Sequence, residues 1–467
     1  MIPKRHPVLG ELVVATHISD ATTYSPQRIR TIILLLAGSV ALLMTGFGII
    51  MPIFARRLGE FGDGVGALGM MTMVFALSQL IFAPVLGGMA DRYGRRPIIL
   101  LALVAVTASY IGYIFAPNTT VFIAIRGIAG GMTAGLFPAA MGVVADVVPE
   151  DRRARWVGVI MGSYAVGMIF GPALGGFLYD GWGYAAPFTL SAIVAFSALI
   201  AAIFLVPETR PPQVRRREAL RAKRTVRAEV QAEESLWSSL PRPLTIFGTL
   251  LFIDFVGSFA FAFVEPQMIF FMYDELAWTT VQFGIVVGAY GIAMVFGQLV
   301  LGQLSDRWGR KPLVMIGLVV SMSLYVGMAM LNSFVGMAVI AAISGLGQAL
   351  YSPALSAFVL DITTDDHRSR VMGLKESSLA LGGVLGPLSV AIVARWTTPR
   401  GVFWIAFWLV GLSFLLGLIL LKEPKRVQRE STNVQDEVSA RRSMAAQASL
   451  RGIVMRATFV REQRQVG

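Results

Sequence analysis

No cysteine occurs among the 467 residues, and there are only three histidines, His6, His17 and His367. Disulfides, thiolate nucleophiles and cysteine-built metal centres are therefore excluded, and the redox compartment leaves no trace in the sequence. A GxxxxGK[ST] phosphate loop is also missing, which argues against an ATP-driven pump or enzyme. Charge is scarce: Asp, Glu, Lys and Arg make up 15% of the chain, against about 25% in soluble domains. The first 30 residues are polar and show no cleavable signal pattern, so the first apolar run is expected to direct insertion. No metal and no cofactor is expected.

Apolar sequence fills the gap. The chain is 55% hydrophobic with a mean hydropathy of +0.67. Runs such as Thr31 to Ile53, Val121 to Val144 and Val402 to Leu421 have the ~20 residues that a bilayer crossing requires. Twelve spans fit between residues 31 and 421, the fourth over 119–147, the seventh over 244–273 and the ninth over 312–332. The net charge of +12 first suggests nucleic acid, but its distribution points elsewhere. Arg56, Arg57, Arg395 and Arg400 lie on one side of the spans, and Arg126 and Lys375 lie within them. Every other Lys and Arg of the chain's 40 falls on the opposite side. The positive-inside rule makes that side cytoplasmic, with both termini and the central loop on it. The expected partner is a lipid bilayer, with no nucleic acid, and a monomer is expected.

The spans are duplicated. Gly87 to Pro97, GGMADRYGRRP, returns as GQLSDRWGRKP at Gly302 to Pro312, an offset of 215 residues. The same offset places Pro138 on Pro353, Asp146 on Asp361 and Gly171-Pro172 on Gly386-Pro387. A register held over about 85 residues marks two related halves. The expected organisation is an N-tail (1–30), a first six-helix bundle (31–207), a basic linker (208–243), a second six-helix bundle (244–421) and a basic C-tail (422–467).

Twelve helices in two related halves, with this charged motif between spans 2–3 and 8–9, resemble the major facilitator superfamily. Within it, Gly167-x-x-x-Gly171-Pro172-x-x-Gly175-Gly176 in span 5 resembles the motif of drug:proton antiporters. Arg126 followed by Gly130 resembles the family's second motif, although Ala129 stands where Gln is common. Gly48 and Pro52, with Glu265-Pro266, resemble tetracycline-efflux and vesicular-amine carriers. The resemblance implies an all-α membrane protein with the major facilitator fold, two pseudo-symmetric six-helix bundles in an inner (cell) membrane. It implies a secondary transporter that is not an enzyme and exports hydrophobic or cationic drugs against protons. A carrier of sugars, metabolites or organic anions is the alternative, and a lipid flippase a remoter one.

The residues carry their own chemistry. In Asp91, Arg92, Arg95 and Arg96, and again in Asp306, Arg307 and Arg310, a carboxylate beside guanidinium groups at the water boundary can latch neighbouring helices. The resemblance implies that Asp91 faces the start of span 11 and that a motif Arg pairs with Asp146, with Asp361 as its repeat. Glycines spaced four apart in span 5 let helices approach closely.

Charges inside spans are the candidates for coupling, since each costs about 2.5–3.5 kcal/mol to insert. Asp254 and Glu265 are eleven residues apart, which places them on one helical face, roughly 16 Å from one another. Desolvation favours the neutral form of an acid, so a carboxyl there can load and release a proton or hold a cation. Glu265 is the first choice for proton coupling or substrate, beside Asp254 and Arg126. Lys375 and Glu376 at the start of span 11 pair with the gate, contact substrate near the inner entrance, or snorkel to water. Gln79, Tyr164, Tyr290, Gln348 and Tyr351 are candidate pocket residues, each equally readable as an interior packing residue.

Overall fold

The computed structural model describes residues 26–148, 150–206, 208–209, 240–301, 308–363 and 367–422. The expected N-tail up to residue 25, most of the linker and the C-tail from 423 lie outside these, as do Asp306 and Arg307. Twelve helices among the described residues are long and apolar enough to cross a membrane. This is a multi-pass membrane protein. The helices are α1 (Pro26–Glu60), α2 (Val65–Tyr93), α3 (Arg95–Phe115), α4 (Thr119–Thr133, resuming Leu136–Val147), α5 (Glu150–Trp182) and α6 (Ala185–Leu205). The second half gives α7 (Leu244–Phe270), α8 (Thr280–Leu301), α9 (Arg310–Ser321, resuming Ser323–Met330), α10 (Phe334–Asp361), α11 (Arg368–Val393) and α12 (Pro399–Leu420).

The duplication reaches down to single hydrogen bonds. Asn118 caps α4 by accepting from Val121 N, and Ser333, 215 residues on, caps α10 by accepting from Gly336 N. Gly94 and Gly309 take φ of +108° and +94° between the paired helices of the motif, a region that a residue with a Cβ rarely enters. Packing repeats as well. Helix α1 lies against α5 and α6, α2 against α4, and α3 against α6, and the same pairs recur six helices later.

Two spans read as single helices are interrupted, each for a local reason. Pro138 cannot donate to Ala134 O, and α4 breaks at Ala134-Gly135. In α9, Ser321 and Ser323 turn their hydroxyls back onto Leu318 O and Val320 O, which loosens the ladder at Met322. Helix α7 runs unbroken through Pro266 and ends in a π-turn, Phe271–Glu275.

The two sets of six helices meet chiefly through α5 with α8 and α2 with α11. Close approaches gather at the end away from the motif loops. A Cβ on Gly176 would lie 2.5 Å from Thr280 C and O, one on Gly284 2.5 Å from Ala173 Cα, and one on Gly69 2.6 Å from Pro387 O. At the motif end, Gly87, Gly88, Gly158, Gly162 and Gly373 have no neighbouring atom within 4 Å of where a side chain would begin. Among the described residues, the tight contacts between the halves lie at the end away from the motif loops.

Candidate functional site

Glycine makes the central helix pairs possible. A Cβ on Gly167 would come within 2.5 Å of Thr45 N, one on Gly171 within 2.7 Å of Gly48 Cα, and one on Gly175 within 1.9 Å of Ile49 O. These positions therefore seat α5 backbone-to-backbone on α1, where lipid supplies little hydrophobic drive and close packing decides. Pro172 is buried in the same stretch, and Gly176 serves α8 instead. The repeat does the same with Gly382 and Gly386, which face the backbone of Phe255, Phe259 and Phe263 on α7.

Two charged clusters sit on this frame. In the first, Arg126 of α4 is 8% exposed, and its guanidinium lies 3.8 Å over the ring of Phe75 and 5.0 Å over Phe54. Phe54 belongs to an aromatic box with Tyr113, Phe122 and Phe188, whose ring centres lie 4.7–6.2 Å apart. Cation–π attraction and these walls fix the direction of the cation. Glu265 of α7 is half-buried and within electrostatic reach of Arg126. The two opposite charges belong to different halves of the chain.

The second cluster lies within the second half. Asp254 of α7 is 3% exposed and Lys375 of α11 is 5% exposed, with Nζ 3.7 Å from Oδ2. Lys375 Nζ also lies 3.3 Å from Glu376 Oε1, whose side chain is 63% exposed. Lys375 therefore does not snorkel: it is an interior ion-pair partner. Tyr351 is buried with its hydroxyl against Gly257, and Tyr290 stacks near Phe261 at 6.1 Å. Gln79 and Gln348 are half-buried, while the Tyr164 side chain lies outside the described residues.

At the motif end, Arg95 Nε lies 2.8 Å from Asp146 Oδ2 and Nη2 donates to Oδ1 at 3.2 Å. Its repeat, Arg310 Nε to Asp361 Oδ2, is 2.9 Å. Arg96 donates to Ile203 O, and Lys311 donates to Leu418 O at 2.9 Å, again 215 residues apart. Asp91 and Arg92 are exposed. Each of these pairs ties helices inside its own half. Glu208 adds a contact that the motif did not announce, accepting from Arg95 N at 3.1 Å.

The opposite end holds residues that sequence reasoning left aside. Arg56 donates to Trp278 O at 2.8 Å, with its guanidinium 3.9 Å over Tyr273. Tyr273 donates to Pro52 O at 3.1 Å, and Val281 N at the start of α8 donates to Asp180 at 3.3 Å. A cleft of about 620 Å³ at this end is lined by Arg56, Glu60, Asp63, Tyr179, Gln267 and Tyr273 among others. Only the rarity of arginine on that side of the spans hinted at Arg56.

The sequence profile of the Major Facilitator Superfamily matches twice, over residues 36–271 and 250–461, once for each half. The chain belongs to this superfamily. It is 28% identical over 402 residues to the class B tetracycline resistance protein of Escherichia coli, covering 85% of this chain and 96% of that protein. Identity is 27% over 381 residues to the multi-drug resistance efflux pump PmrA of Streptococcus pneumoniae, covering 81% and 92%. Among solved structures, an inward-facing, occupied bacterial homologue of the human lysosomal transporter Spinster superposes with a TM-score of 0.68. It is 14% identical and covers 85% of this chain and 97% of that one. The human organic anion transporter MFSD10 superposes at 0.60 with 22% identity, covering 84% and 100%. As a superfamily member the chain has the twelve-helix, two-bundle fold that its repeat implied.

Proposed function

We propose that this superfamily member is a drug exporter of the inner membrane that exchanges protons for hydrophobic or cationic small molecules by alternating access. The observation that carries the reading is a buried cation and an acid inside the spans on different halves, Arg126 and Glu265, within electrostatic reach of one another. The tetracycline and multidrug efflux proteins among its relatives support the same cargo class. Glu265 is the acid that carries the proton or, when ionised, holds the cargo. Arg126, fixed against Phe75 and Phe54, supplies the charge that the loaded and unloaded acid meet differently. Asp254 is the second acid of the path. With the basic loops and both termini cytoplasmic, the tight contacts between the halves lie at the outer end, which supports an inward-open reading. The two six-helix sets, residues 31–207 and 244–421, are the bodies that rock, and the motif residues Asp91, Arg92, Arg95 and Arg96 with Asp306, Arg307 and Arg310 latch the cytoplasmic end when it closes.

The test is proton release from purified protein on adding tetraphenylphosphonium or ethidium. Release should occur in the natural protein and vanish in Glu265→Gln. Undiminished release in that variant would remove Glu265 from the mechanism. Saturable binding restricted to sugars or organic anions, weakened by Arg126→Ala, would move the chain to the alternative carrier class.

A further inference from the structure

We propose that Asp254 is a cation-exchange site whose resident cation is the protein's own Lys375, displaced when the positive centre of a substrate arrives. The proposal rests on the exporter reading and adds to it a second binding point with its own selectivity.

The internal repeat supplies the control. Helices α7 and α11 are the counterparts of α1 and α5, and Gly382 and Gly386 seat the second pair as Gly167 and Gly171 seat the first. In the first pair, the positions matching Asp254 and Lys375 are Ser39 and Ile160, and Ile160 is fully buried. The same helix packing is therefore achieved without an ion pair. Burying two charges is costly, and well-packed apolar residues commonly replace such pairs without loss of stability. Architecture does not account for Asp254 and Lys375.

Their geometry is that of a pair made to separate. At 3.7 Å the contact is ionic but longer than a hydrogen bond, and among the described residues none donates a hydrogen bond to the buried Asp254 Oδ2. The helices need no help from this contact: Ser378 donates to Leu251 O at 2.8 Å and Ser258 to Leu379 O at 2.7 Å, one turn to either side. Lys375 already has a second carboxylate in reach. Glu376 Oε1 is 3.3 Å from Nζ and 63% exposed, so the ammonium can move outward without losing a partner. Around the lysine, Gly373 borders empty space and Leu374, Glu376 and Ser377 are exposed. Tyr351, whose hydroxyl abuts Gly257, adds an aromatic wall on the α10 side. A substrate ammonium or phosphonium flanked by aromatic groups fits this place, because it replaces the lysine charge while adding apolar contact. No proton moves in the exchange: Lys375 stays charged and changes carboxylates.

A tethered competitor lowers apparent affinity by the fraction of time it holds the site. Binding to the full chain in detergent tests this, using tetraphenylphosphonium and an uncharged relative of similar shape, triphenylphosphine oxide. Lys375→Met should tighten tetraphenylphosphonium binding by about tenfold, corresponding to ~90% occupancy by the lysine, and leave the neutral probe unchanged. Lys375→Arg, which grips a carboxylate with more donors, should weaken it several-fold. In an Asp254→Asn background both effects should disappear. The exchange site is overturned if Lys375→Met leaves phosphonium binding unchanged or weaker, if the neutral probe shifts equally, or if the effect survives Asp254→Asn. Should Lys375→Met fail to fold, Lys375→Arg keeps both charges and decides alone, an unchanged affinity rejecting the proposal. Proton release that persists in Glu265→Gln would sink the coupling assignment while leaving a tightened Lys375→Met intact, so the two failures are distinguishable.

Discussion

Two arginines in equivalent places need not matter equally. Arg95 is 8% and Asp146 21% exposed at the side chain, while Arg310 and Asp361 are 19% and 44% exposed. A more buried pair loses more when one partner is removed, because the remaining charge is left poorly solvated. Arg95→Ala is therefore expected to cost about 2 kcal/mol or more in unfolding free energy, and Arg310→Ala about 0–1 kcal/mol. Thermal unfolding of both variants in one detergent measures the contrast, and equal losses would contradict it. Phe75→Leu removes the ring beneath Arg126, an interaction of roughly 0.5–2 kcal/mol. It should lower proton-coupled transport while leaving the assembled protein monodisperse. Normal transport in Phe75→Leu would show that the guanidinium needs no such support. The intramembrane charges themselves were legible, because Asp254, Glu265, Arg126 and Lys375 stand out in apolar text. The partner of Asp254 was not. Helical periodicity relates Asp254 to Glu265 but cannot say that Asp254 turns to Lys375 on α11, since that depends on packing between segments more than 100 residues apart.

Helices were the most readable level, and their interruptions the least. The spacing of glycines in α5 announced a close contact without naming the helix that receives it; the structure divides them between α1 and α8. This gives a position-specific expectation. Gly175→Ala drives a methyl to within 1.9 Å of Ile49 O, and backbone on both sides leaves nothing soft to move. A loss of about 1–3 kcal/mol is expected for such overpacking, together with loss of transport. Gly162→Ala, with open space at its Cβ, should be neutral or slightly stabilising because alanine favours helix. Similar unfolding temperatures for the two would mean that α1 and α5 can part at little cost. The breaks in α4 and α9 escape hydropathy, which averages over both, and Pro138 alone does not announce one, since its repeat Pro353 stands inside unbroken α10.

For the whole molecule, the repeat announced the twelve-helix, two-bundle architecture that superfamily membership bears out. The structure places Arg56, Tyr273 and Asp180 across the tightly packed end, away from both motif copies. Arg56→Ala should therefore favour opening there. The absence of native cysteine permits a clean readout. A single cysteine replacing Gln267, 5% exposed beside the cleft, should react several-fold faster with an impermeant maleimide once Arg56→Ala is added. An unchanged rate would assign the closure to the glycine contacts alone.

Those glycine contacts also act as a fulcrum. Helix α5 meets α8 through Ile169, Ala173 and Gly176, and some 19 residues of it extend from Ile169 to the motif end, an arm of roughly 28 Å that carries the packed α1 with it. Tilting that arm by ~10° carries its tip ~5 Å, whereas atoms beside the pivot hardly move. A bulkier side chain at Gly176 or Gly284 would then act as a wedge under a lever, altering the width of the distant opening more than the contact it disturbs. Leverage of this kind lets the cargo path change size while the joint itself stays packed.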